Sequence, residues 1–378
     1  MPGNDDGRRG GVFLKGAGRE AAVREGEALL ECLARMNLEN EASRDDIRIT
    51  SGGASIILDA RSPAWTPDAD TTALCARMGL DPEHSDEDLD RLILLALLRS
   101  PVVLEFAGCD GLVSAIRVRR NIVKAARVTA LAFDTSDAAE RPADCWLYHE
   151  DTGFVVRPGH ALIDALRKAT QPDVSGQMYA FSCYRATEYV ILLGLAEELQ
   201  ACNPALLARL QKQWETRAIQ SGRFHDIFLH EYGSMEAPLP PRFYVPGDRV
   251  WFRNPDRASS DVLGYEGSWV ISLGGGLFSN FWQRERPYTL SGKCLELYHW
   301  RDGVCSDNGA DLWMDEERVA ACVRATQANP AQTRAILERM MRLRDPKGVY
   351  AKGGCIDTTR ESPRGVCPGG VPLELPDA

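Results

Sequence analysis

Tyr179-Ala180-Phe181-Ser182-Cys183-Tyr184-Arg185-Ala186-Thr187 is the stretch that decides how this chain folds. Directly after it comes the apolar run Tyr189-Val190-Ile191-Leu192-Leu193-Gly194-Leu195-Ala196, which predicts a buried helix. Cys183 therefore stands at a helix N-terminus, where unpaired backbone N–H groups and the helix dipole favour negative charge. A thiol so placed is expected to have a lowered pKa, and the thiolate is the nucleophile. The position points to covalent acyl chemistry. The competing reading is a small packing residue, the usual role of a single cysteine near a helix.

Around this segment the chain has 378 residues, enough for one large domain with extensions or for two domains. Its net charge of −10 argues against a nucleic-acid partner, since the basic run at residues 117–127 is local and offset elsewhere. The eleven cysteines include no Cys-x-x-Cys pair, so neither a zinc site nor a redox motif is expected, and no cofactor. The chain does not open on a basic segment followed by an apolar one, so no signal peptide is expected. The longest apolar run, residues 92–98, is too short to span a bilayer, so no membrane partner is expected either. Unpaired thiols of this number suit a reducing cytoplasm.

Periodicity divides the chain further. Residues 1–20, rich in Gly, Arg and Asp, read as a disordered leader. Residues 21–100 read as a mostly helical extension. It has helices over 21–38 and 82–100, with a short hairpin of Ile47-Arg48-Ile49-Thr50 and Ala54-Ser55-Ile56-Ile57-Leu58 between them. Residues 101–300 read as the catalytic domain. They begin with an amphipathic helix over 111–133, a strand pair near 145–156 and a short helix over 161–169. After the Cys183 helix come strands at 227–230, 248–252, 268–273 and 277–282, with Gly274-Gly275-Gly276 as a hairpin turn. Residues 301–345 carry C-terminal helices, and 346–378 read as a flexible tail. A cysteine-bearing helix followed by an antiparallel sheet is an α+β order, the order of papain-like enzymes, in which strands present the polar partners of the thiol.

Four blocks, in order, resemble one known family, the small bacterial protein-glutamine gamma-glutamyltransferases (transglutaminases) of spore-forming bacilli. Arg119-Arg120-Asn121-Ile122-Val123 resembles its Arg-x-Asn-Ile-Val helix, and Tyr179-Ala180-Phe181-x-Cys183-x-x-Ala186-Thr187 resembles its nucleophile segment. Pro246-Gly247-Asp248-Arg249-Val250-Trp251-Phe252-Arg253-Asn254-Pro255-Asp256 resembles a Gly-Asp-x-x-Tyr-Phe-x-Asn-Pro strand and turn. Gly267-Ser268-Trp269-Val270-Ile271-Ser272-Leu273-Gly274 resembles a Gly-Glu-Asn-Val-Ile-x-Leu-Gly strand. The resemblance implies a papain-like cysteine fold. It also implies a reaction in which Cys183 forms a thioester with a glutamine side chain, releases ammonia and passes the acyl group to an amine, with no metal.

The polar helpers of that family are replaced here. Ser182 stands where the family has a glutamate before the cysteine. Ser268 stands in place of the second glutamate, and the histidine position falls at Asn280 or Phe281. Candidate substitutes are Glu266, which shares the strand face of Ser268; His230, in the block where the family has Asp-Trp-His-Tyr; and Asn280, as an orienting or oxyanion-donating amide. The bland readings are a turn carboxylate, a strand-end histidine and a strand-end amide. Tyr265 falls where the family has a tryptophan flanking the substrate tunnel. With Ser182, Ser268 and Trp269 it makes up the expected substrate-binding wall, whose alternative is an aromatic core. Two functions follow: glutamine-to-amine acyl transfer, with deamidation or amide formation as variants, or a catalytically inactive transglutaminase-like binding module.

Overall fold

The computed structural model describes residues 10–42, 44–58, 61–134, 140–219, 221–307, 311–345, 347, 352–367 and 373–376. Within the segment expected to be a leader, Gly11–Lys15 is a strand with Val12, Phe13 and Leu14 buried. It pairs antiparallel with Gly53–Ile56 and parallel with Val103–Phe106, and Arg48–Thr50 adds an outer strand. Five residues between glycines carry too little periodicity to announce a strand, and only pairing with partners some 40 and 90 positions away orders them. The expectation of a leader is therefore corrected from residue 10 onward, while residues 1–9 lie outside the described residues.

The expected helices form where the apolar spacing put them. Arg19–Arg35 buries Ala22, Leu29, Cys32 and Leu33. Asp86–Leu98 starts at Ser85, whose hydroxyl accepts the Asp88 N–H at 3.1 Å, and it buries Leu89 and every residue from Leu92 to Leu98. Gly108–Val128 crosses Cys183–Cys202 at very close range. A Cβ on Gly194 would stand 2.5 Å from Ile122 Cγ1 and 2.7 Å from its backbone nitrogen. The glycine in that apolar run is thus what lets the two helices touch. One continuous apolar cluster includes Val12 and Leu14 of the first strand, the faces of these helices, and Ile271 and Leu273 of the large sheet.

That sheet has six antiparallel strands in the order Tyr288–Thr289, Leu277–Phe278, Gly267–Gly274, Arg249–Arg253, Arg360–Pro363 and Leu229–Tyr232. Alternation along Gly267–Gly274 sends Ile271 and Leu273 toward the Cys183 helix. Val270 goes into a second core with Val250, Phe252, Phe278 and the helix Leu290–Gly303. The turn Gly274-Gly275-Gly276 has φ of 95°, 60° and 76°, all left-handed. Ahead of the sheet, Gly247 also has a positive φ, and a Cβ there would lie 2.9 Å from the Arg119 Cα. The neighbouring Asp248 receives the Arg119 guanidinium at 2.8 Å, both side chains being buried. Two of the four sequence blocks therefore meet in space as a glycine contact and a buried ion pair.

Three expectations are corrected here. Arg360–Pro363 lies inside the sheet, and Cys355 and Ile356 are fully buried, so residues 352–363 are structural where a flexible tail was expected. Ile227 and Phe228 close the helix Ser221–Phe228, and the strand begins only at Leu229. The strand expected over 277–282 ends at Phe278, whereas the expected C-terminal helices form as Glu316–Gln327 and Pro330–Met340, the second started by its proline. No helix among the described residues is long and apolar enough to cross a membrane.

Candidate active site

Cys183 is the first residue of its helix, and Ser182 is the cap: its hydroxyl accepts the Arg185 N–H at 3.3 Å. Around the partly buried Cys183 thiol, the backbone N–H groups of Trp269, Tyr184 and Cys183 itself favour the thiolate, as does the Lys293 ammonium. Burial acts in the opposite sense and prevails, so the thiol is pushed up from its ordinary value. A lowered pKa, expected from the helix terminus alone, is thus reversed by desolvation. The group therefore rests as a thiol, although the three N–H groups and the Lys293 charge favour its anion.

Lys293 had no sequence signal. It sits in the first turn of Leu290–Gly303, a helix capped by Thr289, whose hydroxyl accepts the Gly292 N–H at 2.9 Å. Only 2% exposed, its ammonium donates to Glu296 Oε1 at 2.9 Å and lies 3.8 Å from the centre of the Tyr288 ring. Burial works against the charge, but Glu296 and Tyr288 outweigh it and hold the pKa above that of an ordinary lysine. Lys293 is therefore a fixed cation, and its charge favours the Cys183 thiolate.

An aromatic wall stands beside the sulfur. Trp269 and Trp251 are cross-strand partners with ring centroids 4.9 Å apart and planes 16° from parallel. Tyr184 meets Trp269 edge-on at 5.2 Å. Arg253 covers Trp251 at 3.5 Å, and Arg249 lies 4.5 Å from the Tyr184 ring and 4.9 Å from that of Trp269. Arg249 is wholly buried and is held by the Glu361 carboxylate. The wall is therefore gripped from behind by an ion pair that reaches the Arg360–Pro363 strand.

The other candidates from the sequence are placed as follows. Ser268 is buried opposite Phe252, and alternation puts it on the other strand face from Trp269. Glu266 is exposed just before that strand, with its carbonyl accepting the Asn254 N–H at 3.0 Å. Asn280 organises its own loop, donating to the Arg286 carbonyl at 2.9 Å and accepting the Gln283 N–H at 3.1 Å. Tyr265 donates to Glu316 at 2.7 Å and packs edge-on against Trp300. His230 packs on Tyr232 at 4.3 Å and lines a separate cleft with Arg223, Asp226 and Arg364; burial, Arg364 and His225 lower its pKa. Among the described residues no hydrogen bond or ion pair joins Glu266, His230 or Asn280 to Cys183. The groups that bear on the sulfur are the Trp269 and Tyr184 amides, by hydrogen bond, and Lys293, through its charge.

A cysteine at a helix start, aimed at a strand amide of an antiparallel sheet, defines the class as an α+β protein with the makings of a thiol site. The sequence profile of the protein-glutamine gamma-glutamyltransferases matches residues 73–358, about three quarters of the chain, and the chain belongs to that family. The match extends beyond the four blocks, which run from Arg119 to Gly274, on both sides. Among solved structures the chain is similar to the transglutaminase from Geobacillus stearothermophilus (without C-terminal extension). The identity is 20%, with 57% of this chain and 97% of that one covered, and the TM-score is 0.38. No curated protein matches the chain.

Proposed function

We propose that this protein carries out acyl transfer through a thioester on Cys183 in a papain-like arrangement, moving the acyl group of a glutamine side chain to an amine. The observation that supports this reading most directly is the place of Cys183 at the start of its helix with the Trp269 and Tyr184 amides hydrogen-bonded to its sulfur; the Lys293 charge favours the thiolate as well. In the first step the sulfur bonds to the carboxamide carbon, the C–N bond breaks, and the thiol proton leaves with the nitrogen as ammonia. In the second step an amine bonds to the thioester carbon, the C–S bond breaks, and an amine proton returns to the sulfur. Lys293 and the backbone amides offset the negative charge that develops on sulfur and carbonyl oxygen. Trp269, Trp251 and Tyr184 form an apolar side against which the stems of glutamine and lysine side chains fit, and which keeps water from the thioester. Where water gains access, the same thioester gives deamidation. The eleven free cysteines are consistent with a reducing compartment.

The test supplies a glutamine-bearing protein and a labelled primary amine to the wild type and to Cys183→Ala. Amine incorporation with ammonia release, both lost in the variant, is the expected result; incorporation that persists in Cys183→Ala overturns the mechanism. The second reading, an inactive transglutaminase-like binding module, is favoured by one observation: burial keeps Cys183 protonated and no described side chain accepts its proton. A wild type that neither incorporates amine nor releases ammonia, with a thiol no more reactive than an ordinary cysteine, establishes that reading instead.

A further inference from the structure

Glu231 and Glu361 face each other as direct partners on neighbouring antiparallel strands. Like charges in that position repel, so such a pair calls for a cation. Arg249 supplies part of it, but its Nε takes only Oε2 of Glu361. The other oxygen, Oε1, points at His225 Nε2 from 3.3 Å, and Glu231 Oε2 lies 3.9 Å from the same nitrogen. All three atoms lie within 4.8 Å of one another. Yet His225 Nε2 is shut off from solvent and makes no hydrogen bond. A second cluster, His299 with Asp302 and Cys322, shows the contrast. There both ring nitrogens are used, Nδ1 by Asp302 at 2.7 Å and Nε2 by the Thr326 hydroxyl at 2.8 Å, so that histidine is structural.

We propose that His225, Glu231 and Glu361 form a binding site for a divalent transition ion of the zinc class, separate from Cys183. Ligands held at 2.0–2.2 Å on a tetrahedral ion stand about 3.3 Å apart, so the His225–Glu361 spacing of 3.3 Å already fits, and Glu231, 3.9 Å from the imidazole nitrogen and within 4.8 Å of Glu361, closes by a small side-chain shift. One imidazole nitrogen and two carboxylates suit zinc, which has no geometric demand of its own, and they leave one position for water. The surroundings fit as well. Arg249 orients Glu361 through its second oxygen, in the manner of outer partners of metal ligands, and Asp226 lies 3.6 Å from His225 Nδ1. The ion ties together the helix Ser221–Phe228 and the strands Leu229–Tyr232 and Arg360–Pro363, which carry its three ligands.

The site is tested with cobalt(II) on the full chain, because thiols elsewhere also take metals and the visible spectrum tells them apart. One equivalent is expected to bind to the wild type and to Cys183→Ala with a d–d spectrum lacking sulfur-to-metal charge transfer. The signal should fall at least tenfold in His225→Ala and in Glu231→Gln. Glu231 is exposed, so the second variant reports even where the first fails to fold. Zinc should raise the melting temperature of the wild type by a few degrees over the EDTA-treated protein and leave that of Glu231→Gln unmoved. Equal cobalt binding by wild type and Glu231→Gln, or a spectrum made only of thiolate charge transfer, overturns the proposal.

Discussion

Trp251 stacks on Trp269 across two strands, with 4.9 Å between ring centroids, and the stack exists because residue 267 is glycine. A Cβ at position 267 would stand 2.0 Å from the Trp251 indole nitrogen. Gly267→Ala should therefore push the indole off Trp269 and loosen the wall beside Cys183. Such overpacking costs on the order of 1–3 kcal/mol. Denaturant unfolding and amine incorporation, measured together, should both decline, and a variant of wild-type stability and activity would contradict the packing argument.

Lys293 is expected to act on the sulfur through charge alone. Lys293→Met should move the pH midpoint of Cys183 alkylation upward, and at neutral pH the reaction should slow about tenfold for every pH unit that the midpoint moves. Lys293→Arg should recover part of the rate. Iodoacetamide kinetics across pH give the answer, and superimposable profiles for wild type and Lys293→Met would remove Lys293 from the site.

In the wild type itself, burial holds the Cys183 thiol above its ordinary value, so reactivity should climb on the alkaline side of an ordinary thiol. The sign for stability follows. A group whose folded pKa is raised contributes stability below its unfolded pKa and loses that contribution as pH rises through the folded one. Unfolding midpoints of wild type and Cys183→Ser should thus converge or cross at alkaline pH. An alkylation midpoint below that of free cysteine would refute the desolvated site.

Arg119 and Asp248 form a buried pair in which Asp248 also accepts the Ser362 hydroxyl at 2.8 Å and the Val245 N–H at 3.0 Å. Arg119→Ala leaves that carboxylate buried and unpaired, with a loss of about 3–5 kcal/mol. Urea unfolding is the measurement. A loss under about 1 kcal/mol would mean that water replaces the guanidinium.

Deleting residues 358–378 should abolish cooperative folding. It removes the strand between Arg249–Arg253 and Leu229–Tyr232 and leaves Arg249 buried without Glu361. Circular dichroism during heating should show a broad, early transition, whereas a sharp transition at the full-length temperature would show the tail to be dispensable.

Local sequence was enough to specify the long helices, the strand pairs on either side of Gly274-Gly275-Gly276 and the address of Cys183. These depend on periodicity within a few residues, on a capping serine and on glycines that only a turn explains. It also held the family resemblance, because the Arg119 and Gly247-Asp248 blocks are tied to each other by a close glycine contact and a buried ion pair. The remainder came from long-range packing. Arg360-Glu361-Ser362-Pro363 has no alternation to announce a strand and becomes one only between two distant partners. Lys293 looks like any helix lysine until Glu296 and Tyr288 hold its charge against burial, and that charge bears on Cys183. The thiol pKa follows the same logic: the helix terminus, visible in the sequence, favours the anion, while desolvation, set by everything packed around the sulfur, outweighs it.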